Sequence, residues 1–168
     1  MSVTGRVTVE LSALLTGTHD FSPPNADLVQ PQSYKFTNGT GANQIDRVFS
    51  DRRTLAASAS ESLDLAGTLV DALGATVTFA RVRALRIKAD AANTNNVVVG
   101  GAASNAFASL FGDATDKIVV RPGGLVLVVA PDTTGYVVTA GTGDLLQVAN
   151  SGAGTGVTYD ITILGASA

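Results

Sequence analysis

The stretch "GVTYDITILG" (Gly156–Gly165) decides the fold class. Val157, Tyr159, Ile161 and Ile163 alternate with Thr158, Asp160 and Thr162. A period of two sends successive side chains to opposite faces of a strand. A strand apolar on one face only belongs to an antiparallel sheet with one face packed and the other wet. "GRVTVELSA" (Gly5–Ala13) repeats the pattern, with Val7, Val9 and Leu11 set against Thr8, Glu10 and Ser12.

Working outward, "ATVTFARVRALRIKA" (Ala75–Ala89) keeps the strand composition but breaks the parity. Val77 and Phe79 share one parity, Val82 takes the other, and Leu85 and Ile87 return to the first. That switch predicts a β-bulge near residues 80–84 or burial on both faces. Shorter apolar or β-branched runs predict strands at Ser33–Thr37, Val48–Phe49, Val97–Val99, Ile118–Val120, Leu125–Ala130, Gly135–Gly141 and Asp144–Asn150, with one more ending near Leu65. Short strands at this spacing, with no long helix, predict an all-β chain: an antiparallel β-sandwich, jelly-roll-like, with one or two short helical turns in its loops. Leu65, Leu69 and Leu73 stand at helical spacing before Gly74, which predicts the first of those turns. The second is expected after Gly100-Gly101, capped by Ser104, stopped at Gly112, with Phe107, Leu110 and Phe111 facing inward.

At 168 residues the chain is expected to hold one packed domain. "THDFSPPNADLVQPQ" (Thr18–Gln32) contains three prolines and almost no periodicity. It reads as an irregular arm. Residues 1–32 are therefore expected to form an N-terminal strand and a proline-containing arm, and residues 33–168 the sandwich.

Charged residues make up only 15% of the chain, against roughly 25% in ordinary globular proteins. A surface so poor in charge suits a subunit that is covered in part by its neighbours. The net charge of −3 and the absence of a concentrated basic footprint argue against nucleic-acid binding. Arg81, Arg83, Arg86 and Lys88 form the densest basic stretch, and their alternation with Val82 and Ala84 reads as the wet face of a strand. No apolar run reaches the ~18 residues of a membrane helix, so no membrane partner is expected. Glu10 interrupts the N-terminal apolar segment, which therefore does not read as a secretory leader.

Catalytic chemistry has few carriers here. With no cysteine and one histidine, a thiolate nucleophile and the usual zinc ligand sets are excluded. His19 precedes Asp20 and the proline-rich segment, and no G-x-S-x-G elbow accompanies it. The aspartates at 64, 71, 113, 116, 132 and 144 fall at loops and strand ends, where Asx turns are the ordinary use of the residue. "NGTGAN" (Asn38–Asn43) and "AGTGD" (Ala140–Asp144) lack the Gly-Lys-Ser/Thr ending of a phosphate-binding loop. The chain is read as non-enzymatic, with no cofactor and no metal.

Three segments carry a family resemblance: "DRVFSDRRTLAASASESLDLAGTLVDALGATVTFARVRAL" (Asp46–Leu85), "NTNNVVVGGAASNAF" (Asn93–Phe107) and "VANSGAGTGVTYDITILG" (Val148–Gly165). Together they resemble small virion structural proteins of tailed bacteriophages, over roughly Asn38 to Gly165. These signatures are turn and packing residues and transfer no catalytic group. The resemblance implies a capsid cement (decoration) protein that binds the major capsid protein lattice and oligomerises, a trimer being preferred to a dimer. It would be made in the host cytoplasm and end on the capsid exterior. The alternative it implies is a tail or fibre structural or receptor-binding module. The expected partner-binding residues are Phe21, Pro23, Pro24, Leu28, Val29 and Tyr34 of the arm. Asn93, Asn95 and Asn96 form a second expected contact, and the Phe107–Phe111 loop a lesser one.

Overall fold

The computed structural model describes residues 2–168. Their strands, in chain order, are β1 (Gly5–Thr16), β2 (Asn25–Asn38), β3 (Gln44–Ile45), β4 (Arg47–Leu55), β5 (Ser60–Asp64), β6 (Leu69–Val70) and β7 (Thr76–Val77). There follow β8 (Arg81–Ala89), β9 (Val97–Gly100), β10 (Lys117–Val120), β11 (Leu125–Val129), β12 (Tyr136–Val137), β13 (Leu145–Asn150) and β14 (Val157–Ala166).

Two four-stranded paths form an antiparallel sandwich, one ordered β11-β8-β14-β4 and the other β10-β9-β13-β5, with β12 pairing with the start of β8. β4 and β5, β8 and β9, β10 and β11, and β13 and β14 are each split between the two sheets, so the chain crosses the core repeatedly. β14 shows why. Val157, Tyr159, Ile161 and Ile163 are buried while Thr158, Asp160 and Thr162 are half-exposed. Leu146 and Val148 of β13 and Val97 and Val99 of β9 meet them in the same core cluster. The alternation is thus the direct cause of the packed face.

The parity break in β8 is a bulge. Leu164 pairs with Ala84 and Gly165 with Val82, leaving Arg83 as the extra residue. The extra residue lets Val82, Leu85 and Ile87 all enter the core despite their different parities. Gly165 must lack a side chain here, because a Cβ would run into the Arg81 carbonyl and the Phe79 ring.

Arg83, expected on a wet strand face, is buried, and two expectations about local structure also fail. No helix forms among the described residues. The segment ends in a β-hairpin, β6 paired with β7, with Leu65 buried before it, Leu69 buried within it and Leu73 exposed at its turn. Gly67 and Gly74 flank a segment too short to repay the cost of helix nucleation. Likewise Ser104–Gly112 forms no helix but bends, a turn and an isolated bridge from Ala106 to Leu145. Phe107 is nevertheless buried, held by a Phe107 N–H bond to Leu145 O of 2.9 Å, and Leu110 and Phe111 pack on the core. The glycine break before it is real: Gly100 and Gly101 have φ of 101° and 72°.

The second failure is the arm. Residues 25–32 are not irregular; they belong to β2, which runs unbroken past the boundary expected at 32/33. All twelve residues of β1 pair with β2, from Gly5↔Phe36 to Thr16↔Asn25. Pro31 is accommodated opposite Glu10 because a two-stranded ribbon is all edge, and a proline's missing N–H costs nothing where it faces outward. At ~3.4 Å per residue the ribbon is about 40 Å long. Only Gly17–Pro24 at its tip is non-strand, closed by a Gly17 N–H bond to Pro24 O of 2.8 Å.

Candidate functional site

The ribbon is built from two dissimilar faces. Directly opposed residues share a face, so Val7, Val9, Leu11, Ala13 and Leu15 of β1 stand with Tyr34, Gln32, Gln30, Leu28 and Ala26 of β2. That face carries no charge. The four charged residues of the two strands, Arg6, Glu10, Asp27 and Lys35, are all on the other face, together with Leu14 and Val29.

At its root the uncharged face is covered. Phe36 and Ile45 are buried outside the main core cluster, beside Gly5 and Leu164, and Ala84 is buried on the same outer side of the β11-β8-β14-β4 sheet. Beyond the root the cover ends. Val9 is 40% exposed, Leu11 59% and Leu15 75%. Each such leucine stands to gain about 1.5–3 kcal/mol from full burial. An isolated two-stranded ribbon is marginal in water, so a ribbon of this length with an uncovered apolar face is suited to a partner.

Beside the root lies a groove of about 380 Å³ between Arg6–Thr8 and the outer sheet face. Ala84, Leu125, Leu127 and Leu164 supply its apolar wall and Arg86 its charge. Leu125 is 54% exposed.

The root is held by Arg83, the bulge residue, which is fully buried. Its NH2 donates to Thr40 O at 3.0 Å, Gly41 O at 3.2 Å and Thr133 O at 3.0 Å, and its NH1 donates to Asp132 O. One guanidinium thus ties the loop after the ribbon to the loop after β11. Burial, then the neighbouring Arg81 cation, lowers its pKa, yet an arginine stays protonated. Asp132 completes this hub: its Oδ1 accepts from Thr134 N–H at 2.7 Å and Gly135 N–H at 2.9 Å, which pulls its pKa down.

A second polar cluster spans the sandwich. Tyr159 Oη donates to Glu61 Oε1, Arg53 Nε donates to Glu61 Oε2 at 2.8 Å, and Arg53 NH1 donates to Asp51 Oδ2 at 2.8 Å. Burial and the bond to Glu61 raise the Tyr159 pKa. The bond to Glu61 raises that of Arg53. Every acceptor is matched to a donor within the chain, so the cluster reads as a fastening between sheets.

The expected site residues divide into three places. Phe21, Pro23 and Pro24 are exposed at the ribbon tip, Phe21 at 96%. His19 is beside them, its Nδ1 accepting from the Phe21 N–H at 3.3 Å. Leu28 and Tyr34 lie on the uncharged ribbon face and Val29 on the opposite one. Asn93, Asn95 and Asn96 lie far along the chain, in the β8–β9 loop, where the side chains of Asn93 and Asn95 and the backbone of Asn96 bond within the chain. Asn93 Nδ2 donates to Thr158 O and its Oδ1 accepts from Thr158 N–H, both at 2.8 Å. Asn95 Nδ2 donates to Gly152 O and Thr155 O, and Asn96 N–H donates to Ser151 Oγ. These amides stitch two loops together. Val9, Leu11 and Leu15 are exposed although the alternation of β1 reads as a strand half-buried in its own core.

No protein-family model matches the chain, and no curated protein matches it. Among solved structures it is similar to "IMPa metallopeptidase in complex with T-antigen", at 18% identity and a TM-score of 0.39. That likeness covers 76% of this chain and 14% of the other. The chain thus spans about a seventh of that protein, and a likeness at this level says nothing of activity.

Proposed function

We propose that this chain is a non-enzymatic virion subunit, a cement protein that braces the major capsid protein lattice of a tailed phage from the outside. The observation that carries the reading is the ribbon: about 40 Å of paired strand whose uncharged face leaves its own domain and remains uncovered. Resemblance of Asp46–Leu85, Asn93–Phe107 and Val148–Gly165 to phage structural proteins supports the same class. So does the strand order, which we read as a jelly roll: eight principal strands in two sheets, with successive strands crossing between them. The mechanism is distributed. Each copy contributes a modest apolar contact, and repetition over a lattice converts modest contacts into durable attachment.

Electron microscopy of purified particles with and without the protein tests this. Added density on the capsid shell is expected. Density at the tail would replace the cement reading with a fibre component, and identical particles would overturn both.

A further inference from the structure

We propose that the uncharged face of one chain's ribbon docks into the groove beside the ribbon root of a second copy, head to tail. The assignment rests on the reading of the chain as an assembly subunit, but it concerns the free protein.

The chemistry that covers the ribbon root is already visible in one copy. Gly5 lies against Leu164, Ile45 and Phe36, and Val7 lines the same groove as Leu125 and Leu127 on the outer face of the β11-β8-β14-β4 sheet. Farther out, Leu11, Leu15 and Leu28 continue the same face with nothing beneath them. What fits the distal half is therefore what fits the root: another outer sheet face of this kind. Next to the root that face is still open, with Leu125 more than half exposed. The ribbon cannot fill its own groove, because it is a continuous ladder with no break between Gly5 and Thr16 at which to turn back. A second molecule must supply the occupant.

Charge favours the same pairing. Between residues 9 and 32 the ribbon carries Glu10, Asp20 and Asp27 and no lysine or arginine. The receiving strand β8 presents Arg86, which lines the groove, and exposed Lys88. Acidic ribbon and basic groove attract at a distance, and the apolar face then seats. Since donor and receptor are different surfaces, the head-to-tail contact is heterologous, and it gives a ring where the rotation between copies closes and a filament where it does not.

Light scattering on the intact chain and on two variants tests the proposal. The wild type is expected to show an integral multiple of its 17.0 kDa chain mass. Leu11→Ser/Leu15→Ser and Leu125→Ser/Leu127→Ser are each expected to give monomers with unchanged thermal unfolding, as most of these side chains are solvent-exposed. Mixing the two variants is expected to give a dimer, because one retains a good groove and the other a good ribbon. A monomeric wild type at tens of micromolar would overturn the inference and leave the cement reading standing. A Leu125→Ser/Leu127→Ser variant that assembles like wild type would also overturn it, pointing to ribbon-on-ribbon contact.

Discussion

The Tyr159 hydroxyl, near the start of β14, donates to Glu61 Oε1 on β5 across the sandwich at 2.7 Å. Tyr159 is fully buried, and its partner is itself held by Arg53 at 2.6 Å. The bond therefore joins the two sheets at a point where the apolar core gives way to charge. Tyr159→Phe removes one donor and leaves Glu61 paired with Arg53, so a loss of about 1–2 kcal/mol is expected from denaturant unfolding.

The same bond sets an alkaline limit. Because the folded pKa of Tyr159 is raised above its ordinary 10.0, folded protein keeps the proton that unfolded chain releases. The contribution is fully present below pH 10 and is lost as pH rises beyond it. Stability of the wild type should fall above that pH, and the Tyr159→Phe variant should fall less steeply. Equal slopes in the two proteins would refute the assignment.

At the acid end Asp132 acts with opposite sign. Backbone donors from Gly135 and Thr134 depress its pKa below 3.8, so its contribution is present above that value and is lost as pH falls further. Asp132→Asn should flatten the acid limb of stability against pH by lowering stability at neutrality, where the charged form contributes, with little change at the acid end.

Arg83 is expected to be the most sensitive polar position. Arg83→Met keeps the volume of the stem but leaves the carbonyls of Thr40, Gly41, Asp132 and Thr133 without their donor. A loss of about 3 kcal/mol or more is expected, together with faster hydrogen exchange in residues 39–45 at the ribbon root. Arg83→Lys should not restore it, since an ammonium cannot reach both loops with a planar fork.

Much of the sandwich was legible because it is written in periodicity. The alternation of β14 and the parity switch of β8 are direct records of burial, and the bulge appears at Arg83 where that switch falls. Arg83 itself was misread as a wet strand position, because a bulge residue obeys neither parity and its acceptors come from loops some 40 to 50 residues away. The ribbon was half legible. Pro23, Pro24 and Pro31 suggested irregular chain, although Pro31 fits an edge that no other strand needs. Leu65, Leu69 and Leu73 matched a helical spacing by coincidence, since their neighbours pair as a hairpin. The exposure of Val9, Leu11 and Leu15 had no local signal. An apolar strand face looks the same whether its own core or another molecule covers it.

The measurement that bears most directly on the central claim replaces Ser12–Val29 with an Asn-Gly turn, which leaves the ribbon root paired and removes its distal half. The shortened and full-length chains are then titrated onto particles lacking the protein, and bound copies are counted by quantitative mass spectrometry. Saturable binding by the full-length chain, with loss of at least tenfold in apparent affinity for the shortened one at unchanged thermal stability, is the predicted result. Undiminished binding by the shortened chain would contradict the account.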